Sequence, residues 1–210
     1  MQVSTTGSVV PERSFAANAR RSQIVEAAIE TIAELGYGQA SFARMAERAG
    51  LSSTRLISYH FAGKAELIEQ IVSEIYAAVG EFMAPRMEAA SSSAGLLEAY
   101  IVGVVEFMVA HPTKMKALLG IFLDFRTDDG GRSYDEETEQ TTVSRLEDIL
   151  RSGQVSGEFR QFDTYVMAVT VQRSVDGLPF LLEGKPDLDL RSYARELVTL
   201  FDLATRREAS

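Results

Sequence analysis

Apolar residues recur along the chain at spacings of three and four, the signature of helices that bury one face. Over residues 20–35, Ile24, Ala27, Ala28, Ile32 and Leu35 form one such stripe, and Gly36 closes it as a helix stop. Ser41 is suited to cap a second, short helix reaching about Ala49, with Phe42, Met45 and Ala46 turned inward, and Gly50 breaks it. Ser52 and Ser53 can cap a third short helix to about Tyr59, and Phe61-Ala62-Gly63-Lys64 leads into a long fourth helix over 65–83. Pro85 and the SSSAG run at 91–95 read as breaks. Further helices are predicted over 96–110, 113–125, 138–152, 162–182 and 190–205, with the polar tract 126–137 as a loop. No period-two segment is long enough to force a sheet, so the expected fold is all-α with about nine helices.

At 210 residues and 46% hydrophobic content the chain can bury a substantial core. It has no cysteine, which excludes disulfides, thiol nucleophiles and cysteine-held metals within the sequence and is compatible with a reducing cytoplasm. The first residues lack the basic-then-apolar order of a secretory signal and read as a loose arm over 1–18. No run of eighteen uncharged apolar residues follows, so no membrane span is expected. The net charge of −9 taken alone disfavours nucleic acid, but it is unevenly spread. Residues 1–64 carry seven Arg and Lys against five Asp and Glu; residues 65–210 carry fourteen against twenty-five. A mildly basic head on an acidic body can still meet phosphates through the head.

A short helix, a glycine turn and a second short helix form the physical plan of a helix-turn-helix, in which the second helix offers its side chains to major-groove base edges. Ala46, Ala49 and Gly50 are small where the helices must cross, and Leu51, Leu56 and Ile57 are apolar where the second must pack. Ser52, Ser53, Thr54, Arg55 and Ser58 are left polar and outward. A bidentate Arg55–guanine contact would discriminate by roughly 1–3 kcal/mol. A helical hairpin with a merely solvated polar face fits the same pattern.

The run RRSQIVEAAIETIAELGYGQASFARMAERAGLSSTRLISYHFAGKAEL resembles the DNA-binding domain of TetR-family regulators. The resemblance rests on Arg21, Ala27, Ala28, Gly36, Tyr37, Ser41, Ala46, Ala49, Gly50, Tyr59, His60, Phe61, Lys64 and Leu67 in order; Ser58 stands where the family commonly has tyrosine. It implies a DNA-binding head over 19–64 and a helical ligand-binding and dimerisation body over 65–210. It further implies that Ser41 caps the second helix at a phosphate and that Ser52, Ser53, Thr54 and Arg55 open the recognition helix. Ser58, Tyr59 and His60 would lie near its end, Lys64 would reach a phosphate, and Arg20 and Arg21 would touch the DNA backbone. The implied partners are double-stranded operator DNA, a small-molecule effector of unknown identity and a second copy of the chain, without a membrane and without a cofactor.

For the effector, an adaptable apolar pocket is expected where aromatics and methionines gather: Tyr76, Tyr100, Phe107, Met108, Phe122, Phe125 and Tyr165, with Met83, Met87, Met115 and Met167. His111, Arg126, Gln172 and Asp176 are candidate polar fixtures, although each of these residues can equally serve an ordinary core or surface. The resemblance places the dimer interface on the last two helices, through Val169, Arg173, Gly177, Phe180, Leu197, Phe201 and Ala204; Val166, Thr170 and Leu200 belong to the same set, which is more apolar-rich than one core needs. An enzyme is disfavoured, since His60 and His111 lie in separate segments and no Glu-x-x-His motif is present. A helical adaptor, or a small-molecule-binding protein without DNA binding, is the remaining alternative.

Overall fold

The computed structural model describes the backbone of residues 12–125 and 136–207, and the side chains of 17–125 and 140–207. Among them are ten α-helices: α1 (Glu12–Leu35), α2 (Phe42–Arg48), α3 (Arg55–His60), α4 (Lys64–Ala89), α5 (Ser93–Ala110), α6 (Pro112–Asp124), α7 (Glu136–Ser156), α8 (Thr164–Asp176), α9 (Leu178–Gly184) and α10 (Leu190–Thr205). The described residues contain no strand, only an isolated bridge between Phe159 and Arg206. Of the arm expected over 1–18, residues 1–11 lie outside the described residues, and α1 has begun by Glu12.

Several expectations from the sequence change: α5 begins at Ser93, inside the SSSAG run read as a break, and α3 begins only at Arg55, with Thr54 and not Ser52 or Ser53 at its N-cap position. Pro85 does not end the fourth helix, which runs on to Ala89. Proline removes one hydrogen bond to the carbonyl four residues earlier, here on Glu81, and since both residues are exposed water can serve that carbonyl. The single helix expected over 162–182 is two, α8 and α9, divided at Gly177, with Pro179 in the first turn of α9 where a missing N–H costs nothing. Asp163 and Asp189 cap α8 and α10, accepting from Val166 N at 3.0 Å and from Arg191 N and Ser192 N at 3.1 Å.

The largest buried cluster ignores the expected boundary at residue 64. It joins Ile24, Ala28 and Ile32 of α1, Met45 of α2 and Ile57 of α3 to Leu67, Ile71 and Ile75 of α4. Ala117, Leu118, Ile121 and Phe125, from α6 and its end, complete it. α6 lies along α1, and the Phe125 ring meets Tyr37 edge-on at 5.6 Å. A second cluster gathers Leu97 and Ile101 of α5, Leu146 and Leu150 of α7, Val171 and Val175 of α8, and Phe201 of α10.

α5 is apolar enough, at 18 residues, to cross a membrane by length and composition. It carries Glu98 and Glu106 and packs against α4, α6, α7, α8 and α10, which accounts for its apolar character on several sides.

Candidate nucleic-acid interface

The turn between α2 and α3 is set by backbone chemistry. Gly50 adopts φ +63, its N–H donates to Glu47 O at 3.0 Å, and Leu51 N–H donates to Ala46 O at 2.8 Å. This paired closure satisfies the last carbonyls of α2 and turns the chain sharply. Ser41 caps the other end of α2, accepting from Arg44 N at 3.4 Å, and Ser53 Oγ accepts from Arg55 N at 3.1 Å where α3 begins.

α3 is short, and it is anchored from inside by Ile57, which is fully buried. Its outer side and the turn before it are open: Ser52, Ser53 and Thr54 precede the helix and are exposed, as are Arg55, Ser58 and, against expectation, Leu56, and Tyr59 is 81% exposed, with its ring against that of His60 at 5.1 Å. An exposed tyrosine beside an exposed arginine and four hydroxyl side chains provides donors, acceptors and a ring face at one convex edge. Arg20 is also exposed and donates to Gln23 Oε1 at 2.7 Å, while Gln23 Nε2 donates to Ala49 O at 2.7 Å and ties α1 to the end of α2.

Two cations expected at phosphates have partners within the protein. Lys64 Nζ donates to Tyr37 O at 3.0 Å and lies 3.9 Å from the centre of the Tyr37 ring, and burial pushes its ammonium below the ordinary lysine value. Arg21 donates to His60 O at 2.5 Å, to Gln70 Oε1 at 3.0 Å and to Glu66 Oε1 at 3.3 Å, with its guanidinium 4.1 Å from the centre of the Phe61 ring. Glu66 also accepts from Ala62 N at 2.6 Å; that bond first, and Arg21 second, hold its carboxyl below the usual range. The sequence reading overlooked Arg44, exposed near the start of α2 and donating to Gln39 O at 3.1 Å. Its position just after the Ser41 cap was the available signal. Arg48, on the other end of α2, is paired with Glu30 and Glu34 of α1.

The residues expected to line an effector pocket are dispersed. Phe122 and Phe125 join the cluster beneath the head, Tyr100 joins the second cluster, and Met108 a third. Phe107 stacks on His111 at 4.5 Å and meets Phe82 edge-on at 5.5 Å, while Tyr76 is half-buried on α4. Tyr165 is 53% exposed on the outer surface of α8, so it faces away from any interior. Arg126 lies outside the described residues. One polar group does assemble: Tyr100 Oη donates to Gln172, Gln172 Nε2 donates to Asp176 Oδ1 at 2.8 Å, and Arg173 donates to Asp176 Oδ2 at 3.2 Å. Burial raises the Asp176 carboxyl to about 6 despite Arg173 and Gln172. A separate cleft of about 320 Å³ opens between the start of α5 and the end of α10, floored by Leu97, Ile101, Phe159 and Val198.

Of the residues expected at a dimer interface, Phe180 and Arg173 are exposed and Val169, Gly177, Leu197 and Ala204 are half-buried. Phe201 is a correction: at 2% exposure it belongs to the second cluster of its own chain, because it lies on the α10 face turned to α5. Val166 on α8 and Leu200 on α10 are exposed as that set requires, and Leu181 on α9 and Leu203 on α10, which the sequence pattern did not single out, join them at 41–59% exposure. Leu200 and Leu203 are three apart and flanked by exposed Thr199 and Glu196, a helical stripe of which Leu203 was the part left unread.

Comparison with known proteins gives these arrangements a context. The family described as bacterial regulatory proteins, tetR family, matches residues 24–71. The HTH-type transcriptional regulator BetI of Serratia proteamaculans is 26% identical over 178 residues, 84% of this chain and 82% of that protein. BetI 1 of Chromohalobacter salexigens is 34% identical over 104 residues, 49% of this chain and 51% of its own length, so that alignment spans about half of the relative. Among solved structures, the fatty acid degradation regulator FadR of Bacillus halodurans superposes with a TM-score of 0.72 at 21% identity, covering 87% of this chain and 94% of that one.

Proposed function

Since the chain belongs to the TetR family of bacterial regulatory proteins, we propose that it is a ligand-responsive transcriptional regulator that works in the cytoplasm as a homodimer on a roughly palindromic operator. It is most simply a repressor, released from DNA by a small, largely apolar effector. The head, 19–64, reads the operator; the body, 65–210, binds the effector and pairs with its copy.

One observation carries this reading. The outer side of α3 offers Arg55, Ser58 and Tyr59 to solvent, and the turn before it offers Ser52, Ser53 and Thr54, while Ile57 seals the inner side against the core. A solvated helix face is polar too; what favours an operator-reading face is that this segment lies within residues 24–71, which match the tetR family of bacterial regulatory proteins. Two copies paired through α8 to α10, by Val166, Phe180, Leu181, Leu200 and Leu203, would set two recognition helices about 34–36 Å apart, one turn of B-DNA. Effector bound in the body would shift α4 and with it the spacing of the heads, so that both half-sites can no longer be filled together. The cleft floored by Leu97, Ile101, Phe159 and Val198 supports an apolar effector, and so does the likeness to FadR, a regulator of fatty acid degradation.

The test is selection from a random-sequence duplex pool with the full chain, followed by titration of the selected duplex over a range of salt. A palindromic sequence should emerge, with log K falling steeply against log salt. Retention that ignores both sequence and salt would instead favour an adaptor or a small-molecule-binding protein without DNA binding.

A further inference from the structure

The sequence resemblance puts Arg21 at the DNA backbone; its surroundings describe a different task. α3 ends at His60, and the carbonyls of a last helical turn have no partner within the helix. Arg21, reaching across from α1, donates to the His60 carbonyl at 2.5 Å. Its other nitrogen donates to Glu66 and Gln70, which lie one turn apart on α4. Beneath the guanidinium lies the ring of Phe61, 1% exposed, which occupies the corner between α3 and α4. Gln70 is held in turn by donating to Glu74 Oε1 at 3.0 Å, and Glu66 is held by the Ala62 N–H just before α4. One planar cation therefore bridges the end of the recognition helix and the first two turns of α4. Only guanidinium has the flat fork of donors to do so, because an ammonium is a point donor on a flexible stem.

We propose that Arg21 is a positioning residue that locks the recognition helix to the start of α4, so that its loss costs sequence discrimination and not phosphate affinity. The proposal rests on the regulator reading above. It follows from what the two kinds of contact do: phosphate contacts strengthen binding to every sequence alike, whereas base contacts depend on the angle at which α3 enters the groove. With the lock gone α3 remains anchored by Ile57 and Phe61, but its end loses the tie to Glu66 and Gln70 that fixes its angle to α4, and the reach of Arg55 and Tyr59 is less sharply set.

The experiment compares the full-length wild type with Arg21→Gln and Arg21→Lys, on the duplex selected from the random pool and on a scrambled duplex of the same length. It is run across a salt series at a temperature where circular dichroism shows each variant fully helical. For Arg21→Gln, affinity for the selected duplex should fall about tenfold, the size of one lost base contact. Affinity for the scrambled duplex and the slope of log K against log salt should stay as in the wild type. Arg21→Lys keeps the charge without the fork and should show the same loss of discrimination. Equal losses on both duplexes, with the slope shallower by about 0.9 and restored by lysine, would assign Arg21 to a phosphate and overturn the proposal. So would unchanged affinity for both duplexes. If Arg21→Gln fails to fold, Arg21→Lys alone decides: discrimination lost supports the lock, discrimination kept refutes it. A wild type that selects no sequence would overturn the regulator reading itself, which separates the two failures.

Discussion

Gly50 and Gly38 offer a matched pair for isolating backbone strain in the head. A Cβ added at either position meets nothing within 4 Å, so steric crowding drops out of the comparison. They differ in conformation: Gly50 sits at φ +63, while Gly38 is not among the positive-φ glycines. An L-residue in the left-handed region costs roughly 1–2 kcal/mol, and the same substitution at an ordinary φ gains about 0.4–1 kcal/mol by restricting the unfolded chain. Gly50→Ala should therefore destabilise by about 1–2 kcal/mol, and Gly38→Ala should be neutral or slightly stabilising. Gly50→Asn should fall between wild type and alanine, since asparagine tolerates this region better. Loss of the Gly50 N–H to Glu47 and Leu51 N–H to Ala46 bonds would deepen the effect of alanine. Urea unfolding at one fixed protein concentration, with unchanged m-values, measures all three. Equal stabilities for Gly50→Ala and Gly38→Ala, or asparagine worse than alanine, would refute the strain argument.

Asp176 ties stability to pH. Its carboxyl is raised from 3.8 to about 6 when folded, so the folded chain holds the proton more tightly and stability falls as pH rises through the interval from about 4 to about 6. The full shift would be worth about 3 kcal/mol. With 34% of the side chain still exposed, screening reduces this to about 1–2 kcal/mol. Asp176→Asn should flatten that decline and be more stable than wild type at pH 7.5 but not at pH 4; a difference independent of pH in urea midpoints would exclude the assignment. Arg55→Ala should weaken binding to the selected duplex by roughly 1–3 kcal/mol and relax specificity at one position while leaving the melting temperature unchanged; uniform weakening on all sequences would argue against a base contact. Leu200→Glu combined with Leu203→Glu should convert dimer to monomer in sedimentation velocity with helicity retained, because both side chains are more than half exposed on one chain; a persistent dimer would place the interface elsewhere.

Helix positions were legible in the sequence wherever periodicity and a glycine or serine cap agreed, as at Ser41, Gly36 and Gly50. The outward set on α3 was legible in part: Leu56 and Ile57 both read as inward, and the structure buries Ile57 while leaving Leu56 37% exposed, because adjacent positions on a helix point about 100° apart. What sequence could not supply was partnership across long separations. Arg21 and Lys64 look like free cations until His60, Glu66, Gln70 and Tyr37 are brought beside them. Phe201 and Leu200 are adjacent and both apolar, and only the packing of α10 decides that one is sealed and the other open. Pro85 misled because at an exposed site water can serve the carbonyl it leaves unpaired, and Gly177 was read as a place of close helix approach and not as a break because the apolar pattern continues through it.

The cluster that runs from α1 through α4 to α6 bears on how regulators of this shape can be recombined. Ala117, Leu118, Ile121 and Phe125 are as much a part of the floor under Ile24, Ala28 and Ile32 as anything in the first sixty-four residues. A chimaera cut at residue 64 would graft the reading head onto a foreign support and strip that floor of its cover. Exchange of operator specificity between relatives should succeed by transplanting the outward side chains of α3, or by moving α1 to α4 together with α6.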